Sequence, residues 1–248
     1  MLLFFYIYTA KRGTMNKKTR GDLLLILTAM IWGSAFVTQK SGMDHIEPFT
    51  FNCIRMLIGS AVLVPFLKLG RKASPGHGPG GQLLPDEKRR QTRLMIHAAL
   101  ICGITIFVGT TLQQIGLVYT TAGKSGFITA LYIIIVPIYG IFMRKRPRNI
   151  LWVCVVLGIG GLYLLCVNGR TSIGIGDIVT FIGAFAFAAQ IQAIDYYSLK
   201  LNPVLLSCMQ FLICGIISVP CMFIFETPHM AAIMSCWPQI VYTGVLSC

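Results

Sequence analysis

One arginine, Arg55, stands inside an apolar stretch of this chain, three residues after Asn52. At i, i+3 the two side chains share a helix face. Together they offer a fixed cation, amide donors and an amide acceptor, a set suited to holding a small polar or anionic molecule. Ser207 and Gln210 stand at the same spacing in a second apolar stretch, 155 residues further on. Ionisable groups in apolar spans are costly and point to a partner or a cavity. For Arg55 two outcomes stay open, an ion pair with Asp44 or Glu47 in the preceding turn and contact with a bound anion. Further amides, Gln113, Gln114, Gln190 and Gln192, also lie deep in apolar sequence, and Trp32, Phe36 and Gln39 form an i, i+4, i+7 stripe. The candidate binding set is therefore Arg55, Asn52, Gln113, Gln114, Gln210, Ser207, Trp32 and Gln190. The competing role for the amides is interhelical hydrogen bonding, worth about 1 kcal/mol each, and for Trp32 it is packing.

Bond-making chemistry has little to work with here. Of the four histidines none lies mid-span: His97 is at a helix edge, His77 sits between loop glycines, and His45 and His229 are in turns. Neither H-E-x-x-H nor G-x-S-x-G occurs, which argues against a membrane-embedded hydrolase. No metal ligand set or cofactor motif is read, so neither is expected. The nine cysteines form no C-x-x-C pair, and most lie in apolar stretches, where a thiol serves as small apolar filler. Asp195 is the one acid within a span and lies near its end, giving a proton relay little support. Asp22 and Asp177 begin spans, where capping and the helix dipole account for them. Lys124, at the start of another span, is expected to snorkel.

These side chains need membrane-spanning elements to position them. Mean hydropathy is +0.73, and only 12% of residues are charged, against about 25% in soluble domains. Apolar stretches near the ~20 residues that cross hydrocarbon fall at 23–40, 49–69, 95–118, 123–143, 150–167, 178–198 and 204–225, with an eighth opening near Trp237. Backbone in lipid must satisfy its own hydrogen bonds, so these are helices. The net charge of +13 does not indicate nucleic acid, because the basic residues cluster in short loops beside spans. Lys17, Lys18 and Arg20, then the 68–93 loop, then Arg144, Lys145, Arg146 and Arg148 carry most of them, whereas Arg170 stands alone in its loop. The positive-inside bias puts the N-terminus and both rich loops in the cytoplasm and residues 168–176 outside. Segment 70–93 reads as a flexible cytoplasmic loop.

The chain also repeats itself. Residues 21–65 align without a gap on 176–220, with Gly21/Gly176, Asp22/Asp177, Pro48/Pro203, Cys53/Cys208 and Pro65/Pro220 identical. Five spans separate the two Gly-Asp starts, so the second copy enters the membrane from the opposite side. The 68–93 loop is strongly basic and its counterpart 226–236 has no Lys or Arg. Inverted repeats of this kind build secondary transporters, with a site between the halves near the midplane. The expected fold is an all-α polytopic membrane protein of two inverted five-helix repeats, about eight of ten helices present. Its parts are a cytoplasmic segment 1–20, a first repeat 21–167 and an incomplete second repeat 168–248.

The segments IWGSAFVTQKSGMDHIEPFTFNCIRMLIG (31–59), TTLQQIGLVYTTAGKSGFITALYIIIVPIYG (110–140) and MRKRP (143–147) resemble the EamA family of the drug/metabolite transporter superfamily. That resemblance implies ten helices in two units, both termini cytoplasmic, and export or exchange of small metabolites such as amino acids across the cell membrane. Partners are then a small-molecule metabolite and membrane lipid, with a homo-oligomer compatible and no nucleic acid. A complete second copy would end at roughly residue 300–320, and Gly244–Cys248 resembles the early third span near Gly103. The chain is thus expected to be C-terminally truncated. A membrane-embedded enzyme, a non-transporting scaffold and an inactive fragment are the alternatives.

Overall fold

A computed structural model describes residues 17–67, 85–142, 150–168 and 173–247. The loop residues Lys68, Arg71, Lys72, His77, Arg144, Lys145, Arg146, Arg148 and Arg170 lie outside the described residues. Helix α1 spans Lys17–Met43, α2 Pro48–Leu63 and α3 Pro85–Tyr119. The fourth span divides into α4, Ala122–Ala130, and α5, Tyr132–Phe142. Helices α6, Ile150–Asn168, α7, Ile175–Ser198, and α8, Pro203–Phe225, follow. Two short helices, α9 (Met230–Ser235) and α10 (Trp237–Tyr242), lead into a π-helical turn at Thr243–Ser247.

Local sequence sets most of these boundaries. Pro48 and Pro203 open α2 and α8 at the position where a missing N–H costs nothing. Asn202 caps α8 by accepting from the N–H groups of Val204 and Leu205. Helix α3 starts earlier than the hydropathy suggests. Pro85 opens it and Asp86 and Glu87 fill its first turn, where the helix dipole favours acids. Residues 85–93, expected as flexible loop, are therefore helical. Similarly, α1 begins before Gly21, so Asp22 is an exposed mid-helix residue rather than a cap. In the fourth span the helix steps at Leu131, where the N–H groups of Leu131 and Ile134 bond three residues back. Pro137, which removes the donor for the Ile133 carbonyl, lies six residues beyond that step.

Six described spans are long and apolar enough to cross a membrane: α1, α2, α3, α4–α5, α7 and α8. Their outward faces remain apolar, with Met30, Val37, Ile133, Ile216 and Ile224 exposed. Such surface would aggregate in water and is solvated by lipid tails in a bilayer. The protein is an all-α polytopic membrane protein.

Helix α3 is the axle, packing along α7 and α8. Its crossing with α7 depends on glycines spaced seven apart on both helices, Gly109 and Gly116 facing Gly183 and Gly176. A β-carbon on Gly176 would lie 2.6 Å from the Gly116 carbonyl oxygen, and one on Gly116 would overlap the Thr180 hydroxyl. Backbones approach this closely only where side chains are absent. Other small-residue positions are less constrained: Gly126 meets Phe36 at ordinary contact distance, Gly160 faces open space, and Gly158 and Gly161 press only on side-chain atoms of Ile134 and Phe127 rather than on backbone. Replacing Gly176 by leucine should therefore cost at least about 1–3 kcal/mol by overpacking, lowering the yield of monodisperse protein in detergent. Gly160→Leu serves as the control and should leave that yield unchanged. Equal losses in both would refute the tight α3–α7 crossing.

The two copies of the repeated segment make matching contacts. Gly103 on α3 packs against Gln210 and Ile213 of α8. Gly244, in the π-helical turn, packs against Arg55 and Ile58 of α2, the residues that align with Gln210 and Ile213. Between α2 and α8 themselves, Asn52 bonds Ser218 and Ser60 bonds the Cys208 carbonyl. These bonds bracket the level of Leu57 and its repeat mate Leu212.

Candidate functional site

Arg55 and Asn52 are both buried on α2, at 3% and 0% exposure. The Arg55 Nη1 donates to Oε1 of Gln39 on α1 at 2.8 Å, and its Nε donates to Asn52 Oδ1 at 3.2 Å. From α3, Gln114 Nε2 donates to the same Gln39 oxygen at 2.5 Å. Asn52 Nδ2 continues the chain to Ser218 Oγ of α8 at 3.4 Å, and Cys214 lies 3.9 Å from both Asn52 Nδ2 and Thr110 Oγ1. Four helices thus converge on one buried polar node, with the Arg55 guanidinium 6.0 Å from the Phe51 ring centroid. Asp44 and Glu47, expected as its ion-pair candidates, are exposed at the helix entrance. The Gln114 side-chain oxygen is buried without a hydrogen-bond partner, an arrangement that costs about 1–3 kcal/mol. A cation beside an unused acceptor matches a small molecule that carries an anionic group and a donor.

The remaining candidates fall into separate places. Gln210, the repeat mate of Arg55, accepts from Gln190 of α7 at 3.1 Å. Both mates thus bond a glutamine of the preceding helix, although Gln190 aligns with Ala35 and the mate of Gln39 is Ile194, one turn further along α7. Gln113 donates to Thr129 Oγ1 of α4 at 3.1 Å, and Gln192 to the Val136 carbonyl of α5 at 2.7 Å. Ser207 is half-buried. Trp32 is 44% exposed on the outer face of α1, so the aromatic end of the stripe packs outside the node while Gln39, at its other end, is the hub. The sequence reading left Gln39, Thr110, Cys214 and Ser218 out of the candidate set. Gln210, Cys214 and Ser218 lie on one face at i, i+4, i+8, which was the available signal.

Buried charge also gathers at the end of the bundle that holds the 119–124 turn. Lys124 does not snorkel. It is 7% exposed and its Nζ lies 3.3 Å from Asp177 Oδ2 at the start of α7. Asp177 also accepts from Thr120 Oγ1 and the Gly174 N–H, so capping describes only part of what it does. At the same end Lys40 Nζ donates to the last carbonyls of α3, Leu117 and Val118, a cation on a helix C-terminus. Glu226, after α8, accepts from the Phe49 and Thr50 N–H groups and from Thr50 Oγ1, completing the first turn of α2. Polar ties therefore join α1 to α3, α4 to α7 and α8 to α2 at this end. The opposite end of α3 is closed by the apolar cluster Met95, Ala98, Ala99, Cys102, Leu201 and Leu206.

A polytopic bundle whose buried polar groups meet where several helices cross is the class these features define. A sequence profile described as the EamA-like transporter family matches residues 19–167, and the chain belongs to that family. It is 34% identical to an uncharacterized transporter of Archaeoglobus fulgidus over 207 residues, covering 82% of this chain and 58% of that protein. With the uncharacterized transporter YwfM of Bacillus subtilis it shares 24% identity over 203 residues, 80% of this chain and 63% of the relative. The chain thus spans less than two thirds of the length of these relatives.

Proposed function

We propose that the protein is a secondary transporter that exports or exchanges small metabolites, amino acids and related compounds among them, by alternating access, and that it catalyses no covalent chemistry. The observation that carries this reading is the buried node of Gln39, Asn52, Arg55 and Gln114, a cation and an unused amide acceptor held between helices of different hairpins. In this reading residues 21–167 and 168–248 belong to two inverted repeats. Support comes from the matching contacts of Gly103 and Gly244 and from the repeat mates Arg55 and Gln210, each bonded to a glutamine of the preceding helix. The ties of Lys40, Lys124–Asp177 and Glu226 hold the bundle shut at one end, and rocking of the halves exchanges them for an opening there. The positive-inside bias of the basic loops supports a cytoplasmic N-terminus in a cell-membrane protein, and in this reading the tied end is external.

Counterflow tests the function. Vesicles containing the protein and loaded with unlabelled amino acids should accumulate trace labelled amino acid above protein-free vesicles, with the label recovered chemically unchanged. Conversion of the label would indicate an enzyme, and no accumulation across amino acids and related zwitterions would reject the proposal.

A further inference from the structure

Helix α3 carries a second feature, remote from the polar node. Its 35 residues rise about 52 Å at 1.5 Å per residue, well beyond the ~30 Å of hydrocarbon. The excess lies at its N-terminal end. There Lys88, Arg89, Thr92, Arg93, Ile96 and His97 line an open cleft of about 550 Å³. All six are exposed and fall on two adjacent i, i+4 rows of one helix face. Followed toward the membrane, the rows change character. Ile96 leads to Leu100, Ile104 and Val108, and His97 to Ile101, every one of them exposed. The other side of the helix is occupied, with Met95, Ala98, Ala99 and Cys102 buried against the α8 entrance. A single face thus presents three fixed cations and a hydroxyl, then about two turns later an uninterrupted apolar track.

We infer that this face is a binding site for an anionic phospholipid, with its phosphate held by Lys88, Arg89 and Arg93 and one acyl chain lying along Leu100, Ile104 and Val108. Charge complementarity selects the occupant. A zwitterionic lipid brings its own cation to the cleft, and a soluble phosphate leaves the apolar track unused. Basic clusters beside spans attract anionic headgroups, each Lys or Arg strengthening the attraction several-fold, and the guanidinium fork matches phosphate oxygens.

The purified full chain, exchanged into detergent and titrated with dioleoyl phosphatidylglycerol or dioleoyl phosphatidylcholine, is examined by native mass spectrometry. Retention of phosphatidylglycerol over phosphatidylcholine is expected. Replacing Lys88, Arg89 and Arg93 together by glutamine should reduce the phosphatidylglycerol affinity on the order of a hundredfold. A charge-keeping variant (Lys88→Arg, Arg89→Lys, Arg93→Lys) should retain binding, which separates lost charge from lost fold. Leu100→Ser with Ile104→Ser should weaken phosphatidylglycerol binding as well. Glycerol phosphate, which has the headgroup charge and no chains, should compete poorly. Equal retention of the two lipids, an unchanged preference in the triple glutamine variant, or full competition by glycerol phosphate would each overturn the site, the last in favour of a soluble anion. None of these results depends on transport activity.

Discussion

Replacing Lys124 by methionine is expected to destabilise the folded bundle by about 3–5 kcal/mol, the cost of stranding one member of a buried ion pair. Asp177 is 6% exposed, and Lys124 shares its Oδ2 with the Gly174 N–H. Without the ammonium, the carboxylate keeps its charge in a low-dielectric setting with only Thr120 and Gly174 among these donors. Asp177→Asn alone should also destabilise, since it leaves the ammonium facing an amide. The double variant Lys124→Met, Asp177→Asn removes both charges, keeps a hydrogen-bond acceptor for Thr120, and should recover most of the loss. Unfolding midpoints in detergent, followed by circular dichroism, give the comparison. A double variant whose loss equals the sum of the single losses would show that the two groups act independently, and the tie between α4 and α7 would then be no more than proximity.

What the sequence made legible here was local, and what it hid was long-range. Arg55 and Asn52 were readable as a pair because i, i+3 spacing fixes their common face. Pro48 and Pro203, identical in the two copies, stand at helix starts for equally local reasons. The partner of Lys124 is 53 residues away and that of Gln114 is 75 residues away, and no periodicity points to either. Helices in lipid lack the contrast that reveals an inner face in water, since lipid-facing and protein-facing positions are both apolar. Leu117 and Val118 illustrate this: one is fully buried and the other 39% exposed. Only polar residues and glycines break the uniformity. Gln39 was visible only as the polar end of a stripe whose other end, Trp32, lies on the exposed face of α1. The seven-residue glycine spacing in 109–116 and 176–183 was present in the sequence, but its meaning depends on α3 and α7 crossing, which is a tertiary fact. The repeat was the exception, because an alignment of the chain with itself relates residues at any distance. It pairs Arg55 with Gln210 and Ile58 with Ile213, the residues on which Gly244 and Gly103 sit.

Arg55 is the residue on which the proposed substrate site depends most, and its replacement by glutamine should impair transport selectively. The guanidinium stands seven residues into α2, about 10 Å from its start, and reaches Gln39 through Nη1 while Nε stays on Asn52. A glutamine amide is too short to keep both bonds and carries no charge. If Arg55 receives a substrate carboxylate, the loss of one charged hydrogen bond, about 1.5–3 kcal/mol, should weaken apparent affinity for anionic and zwitterionic substrates by roughly 10–150-fold. Neutral or cationic amines should be affected less. Insertion should survive, because an arginine at mid-span costs about 2.5–3.5 kcal/mol on insertion scales and its removal relieves that cost. Arg55→Lys restores charge without the planar fork and should recover part of the affinity. Gln210→Ala, at the repeat mate of Arg55 and bonded to Gln190, removes a neutral hydrogen bond worth about 1 kcal/mol and should act more weakly on every substrate alike. Glu47→Gln, at the exposed entrance of α2, is the control for an ion-pair role. The measurement is counterflow rate against substrate concentration, divided by the amount of protein in the membrane. A fall in membrane abundance shared by Arg55→Gln and Glu47→Gln, with normal transport per molecule, would make Arg55 a structural residue. Unchanged affinity for every substrate in Arg55→Gln would remove it from the site and leave the node as interhelical bonding.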